Sequence, residues 1–150
     1  MACPGDCKSC CYEIQVLIEY LSGVCPAGYS CNNYNGWWTV TQTGATGIDC
    51  EWIYTDPADG FIITIDCDSG YWWLKITHDG FNAARWRVAQ TGNYVDCPPV
   101  GGANWNYVDG ICTGMTWART SCVTYERPIF PPEWYPEILM GVLRMRLKWA

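Results

Sequence analysis

Residues 61–80 read FIITIDCDSGYWWLKITHDG, and the fold class turns on them. Two runs of β-branched and aromatic residues, Phe61–Asp66 and Tyr71–His78, are separated by Ser69-Gly70 and followed by Asp79-Gly80. A dipeptide ending in glycine supplies the positive φ that a tight hairpin turn requires. The stretch therefore reads as an antiparallel hairpin. The same pattern recurs on both sides of it. Upstream stand Tyr12–Tyr20, with an apolar residue at every even position, then Trp37–Thr43 and Asp49–Thr55. Downstream stand Ala83–Gln90, Asn104–Val108, Ile111–Ala118 and Ser121–Glu126, and Thr43-Gly44, Asp59-Gly60, Thr91-Gly92 and Asp109-Gly110 mark further turns. Strands that begin every ~10–12 residues predict an all-β domain, expected here as an antiparallel β-sandwich of jelly-roll-like type.

The eleven cysteines extend that reading. So high a load in a small chain predicts a disulfide framework formed in an oxidising compartment. The candidates are Cys3, Cys7, Cys10, Cys11, Cys25, Cys31, Cys50, Cys67, Cys97, Cys112 and Cys122. Pairing does not follow from sequence, although Cys25 with Cys31 is an expected pair because it closes a short loop. Zinc at Cys3, Cys7 and Cys10 is the alternative, since thiolates at that spacing can converge on a tetrahedral centre. The other cysteines stand singly, however, and His78 is the single histidine. Disulfides without a cofactor are the expectation. Asp66-Cys67-Asp68 offers oxygens to calcium as a further alternative.

Composition narrows the function. A net charge of −6 argues against a nucleic-acid partner, which demands a basic footprint. No apolar run is long enough to span a membrane. Met1 to Cys11 holds only Lys8 as a base and no apolar core, so no secretory signal is expected there, and an extracellular protein or a virion component is. An enzyme is not expected: nucleophilic catalysis has only His78 as an imidazole. Carboxylates near tryptophans, such as Glu51, Asp66, Asp68 and Asp79, read as turn and strand-end residues.

Two regions are expected to make contacts. Ten tryptophans and ten tyrosines stand against three phenylalanines, a bias suited to interfaces and to stacking on sugars. In an alternating strand Trp37 and Trp38 point to opposite faces, as do Trp72 and Trp73. Trp38, Trp72 and Trp73 are thus candidates for glycan binding. The second region is the tail. Residues 1–126 carry 5 Lys/Arg and 13 Asp/Glu, whereas residues 127–150 carry 4 and 2. Residues 1–126 are read as the cysteine-rich domain, and 127–150 as a Pro-rich strap with a terminal strand over residues 142–149, a helix beginning at Glu137 being the alternative. That arm is expected to bind like subunits or other structural subunits through Phe130, Trp134, Tyr135, Leu143, Met145, Leu147 and Trp149.

Cys7-Lys8-Ser9-Cys10-Cys11, Asn35-Gly36-Trp37-Trp38-Thr39-Val40, Cys50-Glu51-Trp52, and Cys67 with Trp72-Trp73-Leu74-Lys75-Ile76 together carry a resemblance. Over residues 7–76 the layout resembles small cysteine-rich accessory proteins of tailed bacteriophages. The resemblance implies a virion decoration or fibre-type subunit built on a disulfide-stapled β-sandwich, and it implies no catalytic residues.

Overall fold

The computed structural model describes residues 3–20, 31–43, 50–112 and 115–123. Its strands are β1 (Glu13–Tyr20), β2 (Gly36–Gln42), β3 (Trp52–Thr55), β4 (Ile62–Asp68), β5 (Tyr71–His78), β6 (Phe81–Ala89), β7 (Gly101–Asn104), β8 (Asn106–Asp109) and β9 (Met115–Cys122). The chain is all-β, as expected. The sandwich, however, gives way to one antiparallel sheet in the order β7-β9-β1-β2-β3-β4-β5-β6-β8, curled into a half-barrel. Residues 101–109 supply the physical reason. β7 pairs with β9 while β8 pairs with β6, so a single segment bent at Trp105 borders both ends of the strand order. The sheet folds over its own apolar face and needs no second sheet to cover it.

Alternation along each strand builds that face. Ile14, Val16 and Ile18 of β1, Val40 of β2, Trp52 of β3, Ile63 and Ile65 of β4, Trp72, Leu74 and Ile76 of β5, and Ala84 and Trp86 of β6 are buried. The expected β4–β5 hairpin is present, with Ile65 opposite Leu74 and Ile63 opposite Ile76. Ser69 and Gly70 turn it with φ of 52° and 81°, and Asp79 and Gly80 turn the next hairpin with 51° and 85°. Both are the paired positive values of a type I′ turn.

Two local expectations fail. Ile111–Ala118 and Ser121–Glu126 were separate strands by sequence, but Arg119 and Thr120 stay in ladder with Leu17 and Val16, so β9 runs unbroken. Asp109-Gly110 is no hairpin, because β8 pairs with β6 rather than β9. Gly110 is required for another reason. Its φ is 141°, and a Cβ there would lie 2.6 Å from the Ala84 Cα on β6.

The two ends of the sheet are closed differently. Four disulfides fan out from the N-terminal knot: Cys3–Cys67, Cys7–Cys50, Cys10–Cys97 and Cys11–Cys122. By strand direction, Cys11 precedes β1, Cys50 precedes β3, Cys67 ends β4, Cys97 follows β6 and Cys122 ends β9. These points share one end of the sheet, and the knot caps the core there. Side-chain donors of the sheet reach toward it: the Trp52 indole N–H donates to Cys11 O at 2.7 Å and the Gln42 amide to Cys7 O at 2.8 Å. The opposite end carries Cys31–Cys112. This overturns the Cys25–Cys31 pair, since a cysteine makes one such bond and the segment Cys31–Tyr34 packs against the sheet; Cys25 lies outside the described residues. None of the described residues forms a helix long and apolar enough to cross a membrane.

Cross-links far apart in sequence restrict the unfolded chain most in the loop-entropy account, and losing a native disulfide from a small secreted domain costs ~2–5 kcal/mol. Cys11–Cys122 spans 111 residues. Replacing both by Ala is expected to lower unfolding stability by an amount in that range, measured by chemical denaturation without reductant. Gly110→Ala is expected to cost at least ~1–3 kcal/mol in the same assay, because it combines backbone strain with a clash.

Candidate functional site

The strand pattern that buries Trp72, Leu74 and Ile76 sends Tyr71, Trp73 and Lys75 to the outer face of β5. On β6 the run Ala84-Arg85-Trp86-Arg87 buries Ala84 and Trp86 and sends both arginines outward. Register brings these side chains together, with Trp73 between Asp66 of β4 and Arg87 of β6, and Lys75 opposite Arg85. Trp73 is the centre of the group. The Arg85 guanidinium lies 5.0 Å from its ring centroid, that of Arg87 5.6 Å and the Lys75 ammonium 5.7 Å. Arg87 also sits 4.2 Å over Tyr71, whose ring is 6.2 Å from that of Trp73. Such contacts are attractive because a ring face carries negative quadrupole density.

The indole itself is fixed. Its N–H donates to Asp68 O at 3.3 Å. Two carboxylates border the group. Asp109 accepts from Arg85 Nε and Nη2 at 2.7 Å each, a bidentate pair that holds its carboxyl below the usual range. Asp66 lies 3.7 Å from Lys75, and burial, helped by the charge of Asp68, raises its carboxyl despite that lysine. Among the described residues Arg87 has no carboxylate partner within ion-pair distance.

The glycan candidates divide. Trp73 is on the outer face, but Trp72 is fully buried, its N–H donating to Tyr94 O at 2.6 Å, so it has no surface to offer a sugar. Trp38 is half-buried; it packs edge-on to Phe61 and donates to Tyr34 O at 2.9 Å. Trp38 shares its face with the buried Val40, which sends its neighbour outward: Trp37 is 59% exposed. Tyr12 and Trp117 are exposed too. Arg119 lies 4.6 Å over Trp117, beside a pocket of about 230 Å³ lined by Asn104, Trp105, Trp117 and Ala118. Arg85 and Arg87 escaped notice in the sequence although the alternation of residues 84–88 contains the signal.

The remaining candidates have other tasks. Cys3, Cys7 and Cys10 are in disulfides, so none presents the thiolate a zinc site needs. Asp66 pairs with the Lys75 ammonium, and among the described residues no three His, Cys, Asp or Glu side chains converge as a metal-binding group. His78 is half-buried. Its Nε2 faces Asp59 O at 3.0 Å and so donates, which leaves Nδ1 to accept from the Tyr34 hydroxyl at 2.6 Å. The arm residues Phe130, Trp134, Tyr135, Leu143, Met145, Leu147 and Trp149 lie outside the described residues. No family model matches this chain, and no curated protein or solved structure does either.

The two carboxylates respond oppositely to pH. Asp66 has a raised carboxyl, so its contribution to stability is fullest at acid pH and falls as pH rises through its folded pKa. Asp109 has a lowered one, so its contribution is present at neutral pH and is lost on acidification. Asp66→Asn is therefore expected to gain stability relative to the parent as pH rises from about 3 to 7. Asp109→Asn is expected to lose stability over the same interval, by less than ~1 kcal/mol for so exposed a pair. Urea unfolding at several pH values measures both signs.

Proposed function

We propose that this chain is a non-enzymatic structural subunit of an extracellular particle, of the virion decoration or fibre type, and that residues 127–150 join it to neighbouring subunits. The observation that carries this reading is the fan of disulfides from one short N-terminal knot to four separate points of the sheet. Such cross-linking suits an oxidising exterior and a body that must keep its shape under load rather than open and close. The engagement of His78 by Tyr34 and Asp59 supports a role without catalysis. The basic, aromatic arm complements the acidic body, and an alternating terminal segment is suited to pairing with a strand of a neighbour.

A second reading, a carbohydrate-binding module, is favoured by one observation: Trp73 is held on the outer face with its N–H already satisfied. On the first reading, deleting residues 128–150 leaves a folded monomer, and sedimentation velocity shows the assembled species lost. Assembly and melting temperature both unchanged in the truncated chain sink that reading.

A further inference from the structure

The register of β5 and β6 contains an arrangement that cross-strand pairing alone disfavours. Lys75 and Arg85 stand directly opposite each other. Like charges in that relation destabilise a sheet. Arg87 adds a third cation two residues along the same face, in a chain whose net charge is −6. Lys8, Lys75, Arg85, Arg87 and Arg119 are the described Lys and Arg residues, and three of them ring a single indole. Asp109 pairs with Arg85 and Asp66 with Lys75, whereas among the described residues Arg87 has no carboxylate within ion-pair distance. A local pairing rule broken at one place on a sheet marks that place as a candidate ligand site.

We propose that this face binds an acidic polysaccharide, with a uronate or sulfate group held by Arg87 and flanked by Arg85 and Lys75, and a sugar ring against Tyr71 and Trp73. The assignment rests on the carbohydrate reading above and gives it a charge class and a place. The chemistry points to a saccharide because a single acidic sugar unit presents an apolar ring face and an anion together. The Arg87 guanidinium lies 4.2 Å from one ring centroid and 5.6 Å from another, so both halves of such a unit are met at one location. A glutamate or aspartate of a protein partner brings the charge without the face. A nucleic acid brings a flat base and an anion as well, and its tighter binding is an outcome that overturns the assignment. A planar guanidinium is also the cation that meets carboxylate or sulfate oxygens through two parallel N–H donors.

The test uses the full chain and three polymers, polygalacturonate, dextran sulfate and neutral dextran, with binding followed by titration calorimetry. The two acidic polymers are expected to bind, more weakly as salt rises, and the neutral one is not. Arg87→Gln is expected to weaken that binding about tenfold or more, the scale of a hydrogen-bonded charge. Arg87→Lys is expected to recover part of it. Arg119→Gln removes the same charge from elsewhere on the sheet and is expected to bind like the parent, with melting temperatures confirming that each variant folds. Equal weakening by Arg87→Gln and Arg119→Gln overturns the proposal, as does tighter binding of polyglutamate or single-stranded DNA than of either acidic polysaccharide. Binding of neutral dextran that Arg87→Gln leaves intact overturns it while the carbohydrate reading survives. Silence toward all three polymers removes both.

Discussion

Everything in this molecule depends on how one end of a curled sheet is closed. A half-barrel of antiparallel strands leaves its apolar interior open at its ends, where the strands stop and backbone groups turn away. Here the N-terminal knot lies across one opening, and its four cysteines are bonded to four different parts of the sheet. The knot has little apolar substance of its own. It stays in place because it is covalently bound to what it covers, and in turn it accepts hydrogen bonds from the buried Trp52 indole and from the Gln42 amide. Buried donors without partners are costly, so the cross-links and the tryptophan-rich core depend on each other.

That dependence explains the unusual aromatic usage. Trp52, Trp72 and Trp86 fill the curl with large rings, so a single sheet encloses its core. An indole also ends in one donor, and Trp52 and Trp72 aim theirs at carbonyls of the covering segments, Cys11 and Tyr94. Phenylalanine would fill space equally well without anchoring the ends. At the far end the closure relies on Cys31–Cys112 and on the Tyr34–His78–Asp59 contacts instead.

The elements and their facing were legible where the physics is local. Tyr71–His78 was readable to the residue because the period of two and the glycine turns at both its ends act within a few positions of the chain. The sandwich was the wrong global solution since nothing local reveals that β7 and β8, one residue apart, pair with opposite neighbours. Disulfide pairing was hidden for the same reason: the short Cys25–Cys31 loop was plausible by proximity, but Cys31 finds its partner 81 residues away. At the outer face, Trp73 was visible as a candidate and Trp72 was not separable from it, because a Trp-Trp pair alone does not say which ring faces in. Leu74 and Ile76 make that choice on the neighbouring even positions. The arginines around Trp73 require cross-strand register, which only the completed ladder supplies.

The spacing of the cross-links also determines what happens to a chain that has been cut. Cys11–Cys122 encloses nearly every described strand, and Cys3–Cys67, Cys7–Cys50, Cys10–Cys97 and Cys31–Cys112 overlap within or across it. A protease that severs any turn between residues 11 and 122 therefore separates no fragment from the rest. The nicked molecule remains one covalent object, with its sheet still laced together, and damage of this kind goes unnoticed until a reductant arrives.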